Sequence, residues 1–399
     1  MTFWNKLSKP LVSLAPMADV TEVSFRFLIA NVINKYWIKP NNVVLFNEFL
    51  ATEGVCRDHI AQQLEYSEIE KPIVAQFFGC RPEAFKISAE IACNKYNYDG
   101  IDINMGCPSR KVVSPKQAAG AALITNPKLA QEIIYATKEG AGSKPVSVKT
   151  RIGFDSIDIE SWIPKILEAK PSCLTLHLRT KKELSLVPAH WEHEILDRVL
   201  EMRNSISPET LIMGNGDVET MEQAYQYSKE FGIDGVMIGR ANYGNPWLLN
   251  PNLVFEYIEP RTTDCGPNIP PTENQLKIIE KKSKNYIPTT NGDSDALIEI
   301  SIKEILSTIV MHAIYREEIS RSKSLSPLNA HFKNYLKPLS NLGDVSSLRK
   351  QLYECKSSQE ISDSINSFLT FKKREFDHLI YTEILNNTKN LINSSKFYK

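Results

Sequence analysis

No Cys-x-x-Cys pair occurs among the seven cysteines, which stand at positions 56, 80, 93, 107, 173, 265 and 355. The spacing suggests neither a zinc site nor a disulfide framework, and free thiols in a reducing compartment fit best. A run of about 18 apolar residues, enough to cross a bilayer, is also missing. Met1 to Pro10 are not followed by the apolar core and small-residue cleavage site of a secretion signal. The expectation is a cytoplasmic monomer with no membrane association and no metal.

Low-complexity tracts are lacking, and so is net charge, because 47 Lys+Arg balance 47 Asp+Glu. With 42% hydrophobic and 24% charged residues the composition is that of a globular protein, which sets disorder aside. Zero charge argues against a uniformly basic nucleic-acid binder. The balance is uneven along the chain, however: residues 1–270 hold 28 Lys+Arg against 32 Asp+Glu, and residues 271–399 hold 19 against 15. The basic excess lies in the last third.

The 399 residues leave room for one large barrel-type domain and a smaller one. Eight short apolar runs rich in β-branched and aromatic residues read as strands: Val12–Met17, Val43–Phe49, Ile73–Gly79, Gly100–Gly106, Val146–Ile152, Cys173–Arg179, Leu211–Asp217 and Gly235–Arg240. Helical segments separate most of them, as in Pro82–Lys95, Pro127–Lys138, Ser161–Lys170 and Thr220–Glu230. Strand–helix alternation calls for a parallel sheet, since parallel neighbours need a long crossover. An α/β (β/α)8 barrel over residues 1–249 is expected, with a doubly wound open sheet as the alternative. Residues 250–272, rich in proline and turn residues, read as a linker. From 273 to 385 the pattern is helical, as in Gln275–Tyr286, Ala296–Tyr315 and Ser347–Tyr353, and the Asn-, Ser- and Lys-rich tail 386–399 is expected to fray.

Chemically useful groups fall at strand ends, which a barrel would gather at one mouth. Cys107 follows the strand Gly100–Gly106 in a Gly-Cys-Pro turn that presents its thiol. An unperturbed thiol, with a pKa of about 8.5, is mostly protonated near neutrality and can donate a proton. Lys149 ends an apolar strand, where an ammonium either stabilises developing negative charge or snorkels to the surface. His177 reads as a core histidine or, in a barrel, as a site residue. Gly214-Asn215-Gly216-Asp217 and Gly239-Arg240 close strands seven and eight, the usual place for a phosphate in such barrels, and no Gly-x-Gly-x-x-Gly loop competes with them. Between Ile319 and Gly343 there is no acidic residue, while Arg321, Lys323, Lys333 and Lys337 alternate with His331, Phe332 and Tyr335. That window suits RNA contact or, more plainly, a solvated helix face.

Taken in order, Ala15-Pro16-Met17, Val74-Ala75-Gln76, Asn104-Met105-Gly106-Cys107-Pro108, Gly120-Ala121-Ala122-Leu123, Val146 to Arg151, Leu176 to Thr180, Gly214 to Asp217 and Asp234 to Arg240 closely resemble the tRNA-dihydrouridine synthase family. The resemblance implies an FMN-binding barrel, a helical domain that grips tRNA, and NADPH as reductant. Pro16, Met17 and Ala18 would line the flavin, Gln76 and Lys149 would contact its ring, and His177 would help hold it. Asn215, Gly216, Asp217, Gly239 and Arg240 would take the phosphate end. Asn104 and Arg179 would face the substrate, with Arg321, Lys333 and Lys337 on tRNA, and Cys107 would protonate C5 of a uracil that receives hydride at C6. An FMN barrel acting on a free pyrimidine, or a non-catalytic RNA-binding scaffold, are the alternatives. After Cys107 the segment to Gly120 is poorer in glycine than in many family members.

Overall fold

A computed structural model describes residues 2–35, 41–250, 302–320, 322–342, 344–371 and 381–398. Eight strands form one closed parallel barrel: β1 (Leu11–Leu14), β2 (Val43–Phe46), β3 (Ile73–Phe78), β4 (Gly100–Met105), β5 (Val146–Arg151), β6 (Cys173–His177), β7 (Leu211–Asn215) and β8 (Gly235–Ile238). Leu11 pairs with Gly235 and Val12 with Val43, while Leu45 pairs with Ile73, so no strand of the eight is left with a bare edge. The expected strand Val43–Phe49 ends at Phe46: Asn47 N–H still donates to the Val74 carbonyl, but the Gln76 N–H is taken at 2.7 Å by the Asn47 side-chain Oδ1 in place of a backbone carbonyl.

Local chemistry fixes the crossover helices. Pro127 occupies the first turn of the helix Pro127–Ala141 and the Asn126 side chain accepts from Leu129 N–H. Asp158 caps Ile159–Glu168 and Thr220 caps Met221–Glu230 in the same way. Their apolar stripes pack on the outward faces of the strands, where Trp162 is fully buried and its indole N–H reaches Thr150 Oγ1 at 3.0 Å. The inner face differs by height. At one end Trp4 packs with Leu11, Val44, Phe46, Val74, Cys173, Met213 and Met237 and closes the barrel. Toward the carboxyl ends of the strands the inner positions turn polar.

Beyond residue 302 the described chain is helical, in Ile302–Glu318, Asn329–Leu336, Val345–Glu354, Ser358–Phe371 and Tyr381–Ser394. Its first helix docks on the barrel helix Val23–Lys35, where Phe27 meets Tyr315 edge-on at 4.9 Å. Beside them Arg316 forms a buried ion pair with Glu22 at 2.8 Å. Burial alone would raise the Glu22 carboxyl; Arg316, Ser24 and Ser320 bring it below the usual range. Among the described residues no helix is long and apolar enough to cross a membrane.

The tail departs from its expected fraying. Tyr381–Ser394 is helical, and Phe397–Tyr398 pairs antiparallel with Tyr66–Ser67, with the Tyr398 ring stacked on Tyr66 at 4.8 Å. Backbone pairing and ring stacking outweigh a polar composition. The expected linker, after Asn250, lies outside the described residues, as do Gln275–Tyr286 and Arg321.

Candidate active site

Barrel register decides which side chains meet. Gln76 stands beside Asp102 and Asp102 beside Ser147; Asn104 stands beside Lys149; Arg151 stands beside His177 and His177 beside Asn215. Gln76 Nε2 donates to Asp102 Oδ2 at 2.7 Å, and Ser147 Oγ donates to Asp102 Oδ1 at 2.5 Å. With its amide N–H committed downward, Gln76 turns Oε1 up to accept from Asn104 Nδ2 at 2.9 Å. That in turn points Asn104 Oδ1 at the backbone N–H groups of Gly106 and Cys107, at 3.1 and 2.9 Å. A continuous hydrogen-bonded row therefore runs from the barrel interior to the cysteine turn.

Cys107 sits at the end of this row, half-buried. Burial pushes its thiol up, against the Ser109 N–H, Arg151 and Lys149, so it stays protonated near neutrality. Lys149 reaches Asn215 Oδ1 at 3.0 Å, and Asn215 Nδ2 donates to the Met237 carbonyl at 2.7 Å. Desolvation and the nearby Arg151 bring Lys149 down to about 8, with Asp102 and Cys107 opposing. His177 is held well below its ordinary value by burial and by Lys149, Arg151, Arg179 and Arg240. Its imidazole is neutral, and because Arg179 Nη1 at 3.2 Å can only donate, His177 Nε2 accepts and the ring proton belongs on Nδ1.

At the rim, Gly216 has φ 135°, and a Cβ there would stand 2.6 Å from Ala189 Cβ, so this turn requires glycine. Asp217 bridges two arginines, Arg179 through Oδ2 and the exposed Arg240 through Oδ1 at 2.8 Å. Burial tends to raise its carboxyl, but Arg179, the Ala189 N–H and Arg240 hold it low. Gly239 faces Ala15 and Met17 of the β1 end, its missing Cβ 3.6 and 3.8 Å from their side chains. Pro16, Met17 and Ala18 thus border the same rim as Gly239 and Arg240. The barrel gathers the motif residues of all but the helical region.

Arg179 differs from the expectation that it faces substrate. It is buried, with its guanidinium spent on His177, Asp217 and the Val187 carbonyl at 2.7 Å, which makes it a positioning residue. The basic window also splits. Lys333 and Lys337 are exposed, but His331, Phe332 and Tyr335 are core. His331 Nδ1 accepts from Gly244 N–H at 3.0 Å and its ring lies 4.2 Å from Phe25, which fastens the helix Asn329–Leu336 to the barrel. Phe332 packs toward Tyr353 and the Tyr335 hydroxyl meets His312 Nδ1 at 3.1 Å, so all three rings are closed to bases.

Two residues of the constellation carried no role in the sequence reading. Asp102 could have been found: a carboxylate two positions before Asn104 in an otherwise apolar buried strand shares its inward face. Arg151 donates to the carbonyls of Gly106, Thr180 and Leu184, each at 2.8 Å. Its partners lie on distant loops, which no local pattern reveals. Burial pushes the Asp102 carboxyl up to about 6 against Ser147, Gln76 and Lys149.

Asp102→Asn is expected to be tolerated, because its Oδ1 can still accept from Gln76 while the Ser147 hydroxyl turns to the Ile101 carbonyl, 3.3 Å away. Asp102→Ala leaves the buried Gln76 amide without its acceptor, at a cost of about 1–3 kcal/mol. Urea unfolding of the two variants measures the difference; equal stability would show that Asp102 does not fix Gln76.

The sequence matches the family described as dihydrouridine synthase over residues 13–334. It is 38% identical over 290 residues to a probable tRNA-dihydrouridine synthase of Staphylococcus aureus (strain MRSA252), covering 71% of this chain and 82% of that one. To the probable tRNA-dihydrouridine synthase 2 of Bacillus subtilis (strain 168) it is 32% identical over 373 residues, covering 92% and 96%. Among solved structures, morphinone reductase in complex with tetrahydroNAD aligns with a TM-score of 0.41 at 10% identity, over 61% of this chain and 85% of that one.

Proposed function

The chain belongs to the dihydrouridine synthase family of flavin oxidoreductases, and from that premise we propose that it reduces the C5–C6 double bond of specific uridines in transfer RNA, with FMN as the flavin, NADPH as reductant and Cys107 as proton donor. The observation that carries the proposal is the convergence of a protonated thiol, backed by the Gln76–Asn104 amides, with Lys149 at one barrel mouth.

The donor set fits a flavin mononucleotide. Gln76 and Asn104 each spend one amide N–H within the buried row, so the second N–H of each would remain for an acceptor on a flat heterocycle, and Lys149, steadied by Asn215, would set a positive charge against the flavin ring. Neutral His177 would assist without adding charge. Pro16, Met17 and Ala18 would line one edge, while Gly216, Gly239 and Arg240 would receive the phosphate. The Asp217 carboxylate, turned to Arg179 and Arg240, would act there by aiming Arg240. When bound and reduced, the flavin supplies hydride to C6.

Cys107 then has one task, to give its proton to C5. Arg151 and Lys149 favour the thiolate left behind, and burial keeps the thiol loaded beforehand. Asn104 would face the uracil. Because the target base is stacked in folded tRNA, it must be turned out to reach the barrel mouth. Exposed Lys333 and Lys337 would meet the tRNA backbone, with 273–385 as the tRNA-binding domain, 1–249 as the catalytic one and the cytoplasm as the site of action of a monomer.

Lys149 gives FMN binding a pH dependence. Its charge favours an anionic ligand, is present below about 8 and is lost above it. Affinity of the flavin-free protein for FMN is expected to fall as pH rises through that value, as read by quenching of flavin fluorescence; constant affinity would remove Lys149 from the flavin site. The function itself is tested by anaerobic reoxidation of the NADPH-reduced protein. Unmodified tRNA is expected to reoxidise it quickly and free uridine slowly. Equal rates would make a small pyrimidine the substrate.

A further inference from the structure

The loops that follow β5 and β6 present apolar side chains to solvent beside the cysteine turn. Among the described residues seven large hydrophobics are exposed, and four of them, Ile157, Leu184, Leu186 and Val187, stand on these two loops, which concentrates open apolar surface at the mouth. Leu186 is 83% exposed, more than any other of the seven. Scattered exposed leucines need no explanation, but a clustered set does.

The backbone beneath them is tightly held. Lys181 N–H donates to the Gly153 carbonyl and Lys182 N–H to the Phe154 carbonyl, both at 2.9 Å, which joins the two loops into one ledge. Arg179 holds the Val187 carbonyl at 2.7 Å, and Ala189 N–H donates to Asp217 Oδ2 at 2.9 Å. Leu184 is fixed at φ 57°, an unfavourable region for a bulky side chain, with its carbonyl on Arg151. The same guanidinium holds the Gly106 carbonyl. One buried arginine therefore sets the ledge and the Cys107 turn relative to each other.

Charge around the ledge selects the occupant. Arg110, Lys111, Lys116 and Lys182 are exposed on the loops after β4 and β6, against the exposed Asp155, while Asp158 caps the helix Ile159–Glu168 and Glu183 and Glu192 are engaged with His190. An apolar tip among cations suits a nucleic acid, whose phosphates meet the cations and whose bases meet the tip. We propose that the segment 181–188 is a wedge for folded tRNA, with Leu186 entering the stack to fill the space left by the turned-out uridine. Leucine is among the side chains that proteins insert between base steps. The proposal rests on the tRNA reading above and adds to it the element that displaces the base.

The test uses the full-length, flavin-loaded protein, unmodified tRNA, and the variants Leu186→Ala and Leu186→Phe. With Ala, kcat/KM for tRNA is expected to fall about tenfold, while Phe, still able to stack, stays within about twofold of the parent. Flavin content and the rate of reduction by NADPH should be unchanged in both. A Leu186→Ala protein as active as the parent, or a Phe variant as impaired as Ala, would overturn the wedge. A parent dimer that Leu186→Ala converts to monomer would assign the tip to a second copy of the chain and overturn it too. If the parent does not react with tRNA at all, the functional reading fails, an outcome distinct from a working parent with an indifferent tip.

Discussion

Cys107→Ala is expected to bind flavin and accept electrons from NADPH as the parent does, yet to form dihydrouridine in tRNA roughly 10²- to 10⁴-fold more slowly, the usual effect of removing a positioned acid. The selectivity of this loss follows from geometry. Asn104 reaches the Cys107 turn through backbone N–H groups, which alanine keeps. The hydrogen bonds that position Gln76 and Lys149, the residues that would hold the flavin, involve no atom of the thiol. Only the proton source is removed. Cys107→Ser should not restore the rate, because a hydroxyl is a far weaker acid than a thiol. Rapid-quench measurement of dihydrouridine alongside flavin absorbance separates the two half-reactions; full activity in Cys107→Ala would assign the proton to another group.

Arg151→Met is expected to cost both stability and rate. The guanidinium supplies hydrogen bonds to Gly106, Thr180 and Leu184, and methionine supplies none. The buried carbonyls of Gly106 and Thr180, left without a donor, cost about 1–3 kcal/mol each, while that of Leu184 can turn to water. Thermal unfolding should register that loss directly. The rate should fall by roughly a hundredfold, since displacement of a reacting group by about 1 Å suffices for that. Arg151→Lys keeps the charge but lacks the planar fork that spans separate loops, so it should resemble Met more than the parent. A lysine variant with parental rate would show that Arg151 acts by charge alone.

The barrel was legible because each strand pairs with its neighbours through short apolar runs, and crossover helices carry their own caps, such as Asn126 and Thr220. Cys107, Lys149 and Asn215 could be read as strand-end groups for the same reason: alternation on a strand decides which side chain points inward. Arg179 misled because an arginine at a strand end looks available, while its partners, Val187 and Asp217, come from segments whose approach depends on the closed barrel. In the helical region the spacing of His331, Phe332 and Tyr335 among lysines fits a nucleic-acid face and a helix with one buried side equally well. Only the packing against Phe25 and Gly244 separates them. The tail was misjudged on composition, because a two-residue strand such as Phe397–Tyr398 has no pattern of its own and is defined by its partner.

In the proposed reaction Cys107 supplies the proton that completes reduction of a uridine in tRNA. This role is tested most directly by incubating tRNA from cells lacking this protein with the purified protein, FMN and NADPH, and mapping the mass of each uridine. A gain of two hydrogens at defined uridines is expected with the parent and none at any position with Cys107→Ala; unchanged tRNA with the flavin-loaded parent, or an equal gain with the variant, would overturn this role.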